Sequence, residues 1–177
     1  MATEIQKNLA EKNAEYAQKF DQGHLALPPA KKYLVLTCMD ARIDPAAAFG
    51  ISLGDAHVIR NAGASARDAQ RSIVISEQLL GTRESELHRD FARVSSRHTG
   101  CGMLTFTNDD AHAIVKKNLG PAALAELGAL DFLPFPELDK AVKDDVEFLK
   151  VSTTIPDDVP ITGWVYEVET GKVRQVV

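Results

Sequence analysis

The 177-residue chain contains no apolar run near the roughly 20 residues that a membrane helix needs, so it is not expected to enter a bilayer. Cysteine is scarce. Two residues, Cys38 and Cys101, are too few for the disulfide framework of a secreted domain, and a reducing compartment would keep both as thiols. Positive charge is in deficit as well: 20 Lys and Arg against 25 Asp and Glu leave a net charge of -5, with no basic cluster to follow a phosphate backbone. Nucleic acid is therefore not an expected partner. Repeats and low-complexity tracts are missing, and nothing marks a boundary for a second domain. The stretch from Met1 to Phe20 has neither the apolar core of a signal peptide nor an acid-poor transit composition, because Glu4, Glu11 and Glu15 interrupt it. The expected compartment is the cytoplasm.

What is present describes a soluble globular chain, 45% hydrophobic and 25% charged. It is expected to form a single domain over 1–177, with 1–24 as a helical arm. Residues 4–20 carry Ile5, Leu9, Tyr16 and Phe20 near one stripe, a helical pattern whose apolar side must dock on something. Pro28 and Pro29 close the linker that follows. The run Tyr33–Thr37 reads as a buried strand, and Ala56–Ile59 as a second. Asp44 and Pro45 open a short helix through Phe49, with Asp44 as its cap. Residues 67–80 read as a helix closed by Gly81, 121–128 as a short helix, and 137–149 as a longer one. The tail, Ile161–Val168 and Lys172–Val177 around Glu169, Thr170 and Gly171, reads as a β-hairpin. The βαβα order points to an α/β fold: an open, mostly parallel sheet flanked by helices, with a C-terminal antiparallel hairpin strand.

The residues that carry chemistry lie in two strings, Cys38-Met39-Asp40-Ala41-Arg42 and His98-Thr99-Gly100-Cys101-Gly102. Cysteine thiolate and imidazole are preferred ligands of Zn2+, and a His-x-x-Cys step lets two ligands share one turn. Cys38 supplies a third. Three protein ligands with an open fourth position is the arrangement of a catalytic zinc. His112 could close the site, but it lies beyond a polar stretch and reads, with His24, His57 and His88, as a packing or surface histidine. Asp40 and Arg42 alternate along extended backbone, so both side chains can leave on one side and pair. A carboxylate held ionised by an Arg fork can accept a hydrogen bond from a water at the metal, or can itself take the open position. The bland reading of the same residues is a structural ion pair beside an inert buried thiol.

Taken together, CMDARID, GDAHVIRNAGA, RSIVISEQLLGTRE and HTGCGM resemble the β-class carbonic anhydrases, in the same order, from about Tyr33 to Met103. GWVYEVETGKV near the end is similar too. The resemblance implies zinc on Cys38, His98 and Cys101, with Asp40 and Arg42 as a dyad beside it. It also implies Asn61, Ala62, Gly63 and Gly102 near the substrate, CO2 and bicarbonate as reactants, and a homodimer or higher homo-oligomer. Hydrolysis of COS or CS2 on the same zinc is the alternative enzymatic reading.

One segment departs from the family pattern. Glu84 and His98 are separated by SELHRDFARVSSR, which is longer and more polar than the apolar strand expected to deliver the histidine. Either an inserted loop precedes a weakened strand at about Phe91–Ser95, or the strand is replaced and His98 hangs on a loop. The second case would misplace the zinc and leave an inactive paralogue or a thiol redox protein closing Cys38 to Cys101.

Overall fold

The computed structural model describes residues 2–82, 93–156 and 158–177. Among them five strands form one sheet in the order β2-β1-β3-β4-β5. The strands are β1 (Tyr33–Cys38), β2 (Ala56–Asn61), β3 (Arg93–His98), β4 (Ile161–Tyr166) and β5 (Val173–Gln175). β1 pairs in parallel with β2 and β3, β3 in parallel with β4, and β5 closes antiparallel on β4. This is the expected α/β architecture, including the C-terminal hairpin.

β3 settles one alternative raised by the atypical segment. It is paired on both sides, with Val94 and Ser96 opposite Val35 and Thr37 of β1 and with His98 opposite Tyr166 of β4. His98 therefore does not hang on a loop. Residues 93–95 of the expected span lie in this strand, and Phe91, Ala92 and the expected inserted loop lie outside the described residues.

The helices are α1 (Glu4–Ala17), α2 (Pro45–Phe49), α3 (Ala66–Gln78), α4 (Asn108–Leu119), α5 (Pro121–Leu127) and α6 (Leu138–Val151). Asp44 caps α2 as expected, its Oδ1 accepting from the N–H groups of Ala46 at 3.1 Å and Ala47 at 3.3 Å. α3 buries Ala66, Ala69 and Ile73, and α6 buries Ala141, Val142, Val146 and Leu149. Together with Leu34, Leu36 and Cys38 of β1, most of these form the core. α4 was not expected. It is framed by a capping box between Thr107 and Asp110, yet buries no residue, so it has no continuous apolar stripe to reveal it in sequence.

α1 also buries nothing: Ile5 is 73% and Leu9 63% exposed, so the apolar stripe does not dock on the described residues of its own chain. Among the described residues no helix is long and apolar enough to cross a membrane.

Candidate metal centre

The strand ends build the centre. Cys38 is the last residue of β1 and His98 the last of β3, so the parallel pairing brings both to the carboxyl edge of the sheet, where such folds place their sites. The chain then turns through Thr99 and Gly100, whose φ of 60° lies in the left-handed region, and returns Cys101 to the side of His98 and Cys38. The potential ligand atoms of Cys38, His98 and Cys101 all lie within 4.8 Å of one another, and all three residues are buried.

The imidazole is already oriented. Nδ1 donates to the carbonyl of Thr99 at 2.8 Å, which fixes the tautomer and turns Nε2 toward the two sulfurs. Nε2 is buried and has no hydrogen-bond partner among the described residues. An orphaned imidazole nitrogen beside two thiols is an expensive arrangement for a closed polar site and a fitting one for a thiophilic cation. Electrostatics point the same way. A hydrogen bond from Cys101 pulls the Cys38 thiol well below the ordinary range, against burial, with help from His98 and the backbone N–H groups of Asp40 and Gly63. The same bond, with burial, drives Cys101 upward. Burial opposes a charged His98, but Cys38, the Thr99 carbonyl and Asp40 together raise it.

Asp40 and Arg42 do pair. Asp40 Oδ1 accepts from Arg42 N and Nε, each at 2.9 Å, and Oδ2 accepts from Arg42 Nη2 at 2.7 Å. These bonds, the side-chain ones first, hold the carboxyl far below the usual carboxylate range. Arg42 Nη2 also donates to the Gly100 carbonyl at 3.0 Å, tying the dyad to the turn between the two ligands of the second string. Asp40 Oδ2 stands 3.7 Å from His98 Nε2. The carboxylate thus faces the ligand cluster in ionised form.

A cleft of about 340 Å³ opens at this point, lined by Cys38, Met39, Asp40, Ala41, Ala62, Gly63, Cys101, Gly102 and Met103. Of the residues expected near substrate, Ala62, Gly63 and Gly102 line it. Asn61 does not, because its amide is held by Ser65, donating to its carbonyl at 2.9 Å and accepting from its N–H at 2.8 Å. Asn61 shapes the loop instead. His112 stands apart from the ligands on α4, edge-on to Phe132 with ring centres 5.3 Å apart, which agrees with a packing role. Sequence reasoning missed Arg60. Its Nε donates to the Cys38 carbonyl at 3.0 Å and its Nη2 to the Asp40 carbonyl at 2.7 Å, pinning the backbone on both sides of Met39. The available signal was a charged residue at the end of β2, the strand that pairs with β1.

A buried Cys-His-Cys cluster at the carboxyl edge of a parallel sheet, with an arginine-held carboxylate above it, defines a metalloenzyme-type centre on an α/β fold. Comparison with known proteins makes the assignment more specific. Residues 33–126 match the carbonic anhydrase family. The chain is 37% identical over 167 residues to β-carbonic anhydrase 1 of Mycobacterium tuberculosis, covering 93% of each. It is 45% identical to the solved carbonic anhydrase from Glaciozyma antarctica, with a TM-score of 0.85 and 95% of each chain covered. It is also 34% identical over 182 residues to a carbon disulfide hydrolase of Acidianus sp., covering 91% of this chain and 83% of that one. The chain belongs to the β-carbonic anhydrase family.

Proposed function

We propose that the protein catalyses the reversible hydration of CO2 to bicarbonate and a proton, with zinc held by Cys38, His98 and Cys101. The observation that carries this reading is the three-donor cluster facing the Arg42-held carboxylate of Asp40 at the head of a largely apolar cleft. In a site with three protein ligands zinc supplies Lewis acidity, which brings the pKa of a water down to ~7. The chain's own groups do the rest. Asp40, kept ionised by Arg42, accepts a hydrogen bond from the attacking water and aims its lone pair at the carbon. Arg42 fixes that carboxylate by two side-chain bonds and one backbone bond, so the acceptor keeps its orientation as charge develops. Ala41, Ala62, Gly63 and Met103 offer the small uncharged substrate a surface that does not compete for it with water.

Metal analysis with stopped-flow hydration tests the proposal. The unmodified chain should hold one zinc, Cys38→Ser should lose it, and Asp40→Asn should keep it while losing about 10- to 100-fold in turnover. Absence of zinc uptake, or unchanged turnover in Asp40→Asn, refutes it. Hydrolysis of CS2 or COS is the second reading, favoured by the resemblance to the carbon disulfide hydrolase. Sulfide release measured beside CO2 hydration on one preparation separates the two.

A homodimer or higher homo-oligomer belongs to the same proposal. The stripe of Ile5, Leu9, Tyr16 and Phe20 is exposed, and the sheet leaves an open apolar groove between Tyr33, Val35, Phe49 and Trp164. Light scattering on the full chain and on a chain lacking 1–24 tests whether the arm holds subunits together. A monomeric full chain overturns the assembly.

A further inference from the structure

Thr99, between the two ligands of the second string, has every polar group engaged. Its N–H donates to the Tyr166 carbonyl at 3.0 Å, continuing the β3–β4 ladder one step past His98. Its carbonyl accepts from His98 Nδ1 at 2.8 Å. Its hydroxyl accepts from the Val168 N–H at 3.1 Å and donates to Glu169 Oε2 at 2.7 Å. Val168 and Glu169 lie in the turn of the C-terminal hairpin, about 70 residues further along the chain.

The consequence is directional. A carbonyl that orients a ligating imidazole can hold it only as firmly as the carbonyl's own residue is held. Thr99 sits at the start of a turn, next to Gly100, whose φ of 60° lies in the left-handed region that favours glycine. On one side Arg42 grips this turn through the Gly100 carbonyl at 3.0 Å. On the other, the hairpin grips it through the Thr99 hydroxyl, and the Glu169 bond is charge-assisted and the shorter of the two. That bond is the first cause holding the Glu169 carboxyl below its usual range, and Arg42 and His98 add to it through space.

We propose that Glu169 is a positioning residue for the metal centre, acting through the Thr99 hydroxyl and carbonyl on the orientation of His98. It extends the metal-site reading above and is independent of which substrate the centre takes. The Thr99–Glu169 link supports the ligand turn from outside the ligand set, and its loss loosens His98 while leaving the three donor atoms in place.

The test is zinc affinity by chelator competition, with ligand-field absorption of the cobalt-substituted chain as a second readout. Glu169→Ala and Thr99→Val should each weaken zinc binding by about 10-fold or more and shift the cobalt bands. Glu169→Gln, which keeps an oxygen acceptor for the hydroxyl, should stay close to the unmodified chain. The double variant Glu169→Ala/Thr99→Val should bind no more weakly than Thr99→Val, which already removes the bond to Glu169 along with that from Val168. Thr170→Ala is the control for the hairpin itself. It breaks the turn's own bond from Thr170 Oγ1 to Glu167 Oε2, 2.8 Å long, without touching Thr99, and should lower the melting temperature without changing affinity. Unchanged affinity and bands in Glu169→Ala, additive losses in the double variant, or an equal loss in Thr170→Ala overturns the proposal. A chain that binds no zinc at all overturns it together with the functional reading. One that binds zinc but does not hydrate CO2 overturns only the latter, and the affinity comparison still decides the role of Glu169.

Discussion

Replacing Asp145 by alanine should destabilise the fold by about 3 to 5 kcal/mol, the range for breaking a buried ion pair from one side. Its carboxylate and the Arg97 guanidinium are each only 6% exposed. Oδ2 accepts from Arg97 Nε at 3.0 Å and Nη2 at 2.8 Å, while Oδ1 accepts from the Ala66 N–H at 3.1 Å, at the start of α3. Without Asp145, Arg97 keeps the face of Phe135, 4.2 Å from the ring centre, and its Nη1 already has no hydrogen-bond partner among the described residues. A buried cation would then lack its counter-charge, and an α3 N–H would lose its acceptor. The exposed pair Lys140–Asp144 on α6 lacks this leverage, since both side chains reach water and such pairs contribute ~0 to 1 kcal/mol. Urea titration gives the free energy directly, and at roughly 2 to 4 °C per kcal/mol the melting temperature should fall by about 6 to 20 °C. The double variant Arg97→Met/Asp145→Leu should recover most of the loss, because it removes both charges rather than orphaning one. A loss below ~1 kcal/mol in Asp145→Ala, or a double variant no more stable than the single, refutes the reasoning.

Other consequences can be checked with the same preparations. Gly63→Ala places a Cβ 2.8 Å from Met103 Cγ and 3.2 Å from Phe135 Cε1 at a φ of 72°, so it should cost more than the ~1 to 2 kcal/mol of the backbone alone and reduce activity at the cleft; wild-type stability in that variant would contradict this. Zinc should raise stability over chelator-treated protein by ~2.7 kcal/mol when free metal is 100-fold above its Kd, read as a concentration-dependent melting temperature. Asp110, Asp131 and Asp139 are held below the ordinary carboxylate range by bonds from the Thr107 N–H, the Asn108 amide and Arg174 respectively, so their stabilisation is present above the unfolded value of ~3.9 and lost as pH falls through the folded values. Asp145, raised by burial, acts in the opposite sense, stabilising below ~3.9 and losing that contribution as pH rises through its folded value. The depressed groups outnumber it, and melting temperature should fall as pH is lowered through ~3.9 and below.

The ligand cluster was readable because its pieces are local. Asp40 and Arg42 are two residues apart, and the three bonds between them form within a single turn of chain. His98 and Cys101 likewise share one turn, and only the pairing of β1 with β3 had to be inferred. Arg60 and Glu169 escaped notice for the converse reason. Their partners Cys38 and Thr99 lie 22 and 70 residues away, and an isolated Arg or Glu in a polar context carries no sign of what it will touch. α4 escaped because pattern analysis registers burial, and this helix buries none of its residues. The Thr107–Asp110 capping box was its one legible mark.

The polarity of β3 has a physical reason that sequence alone obscured. A central parallel strand is ordinarily apolar on both faces, yet this one reads Val94-Ser95-Ser96-Arg97 before the histidine. Ser95 lies opposite Gly163 of β4, and Arg97 opposite Val165. A Cβ on Gly163 would collide with Val142 of α6 and come within 3.1 Å of Val146, so α6 rests directly on the backbone at this point. Small residues on both strands permit that approach, and the approach carries Asp145, on the same buried side of α6 as Val142 and Val146, to the guanidinium of Arg97. The packing and the ion pair are therefore one device. A bulky apolar residue in place of Ser95 would lift the helix and separate the pair, whereas serine leaves the helix seated over the strand that ends in His98. The strand is held in register less by its own hydrophobicity than by what its small side chains allow to dock on it.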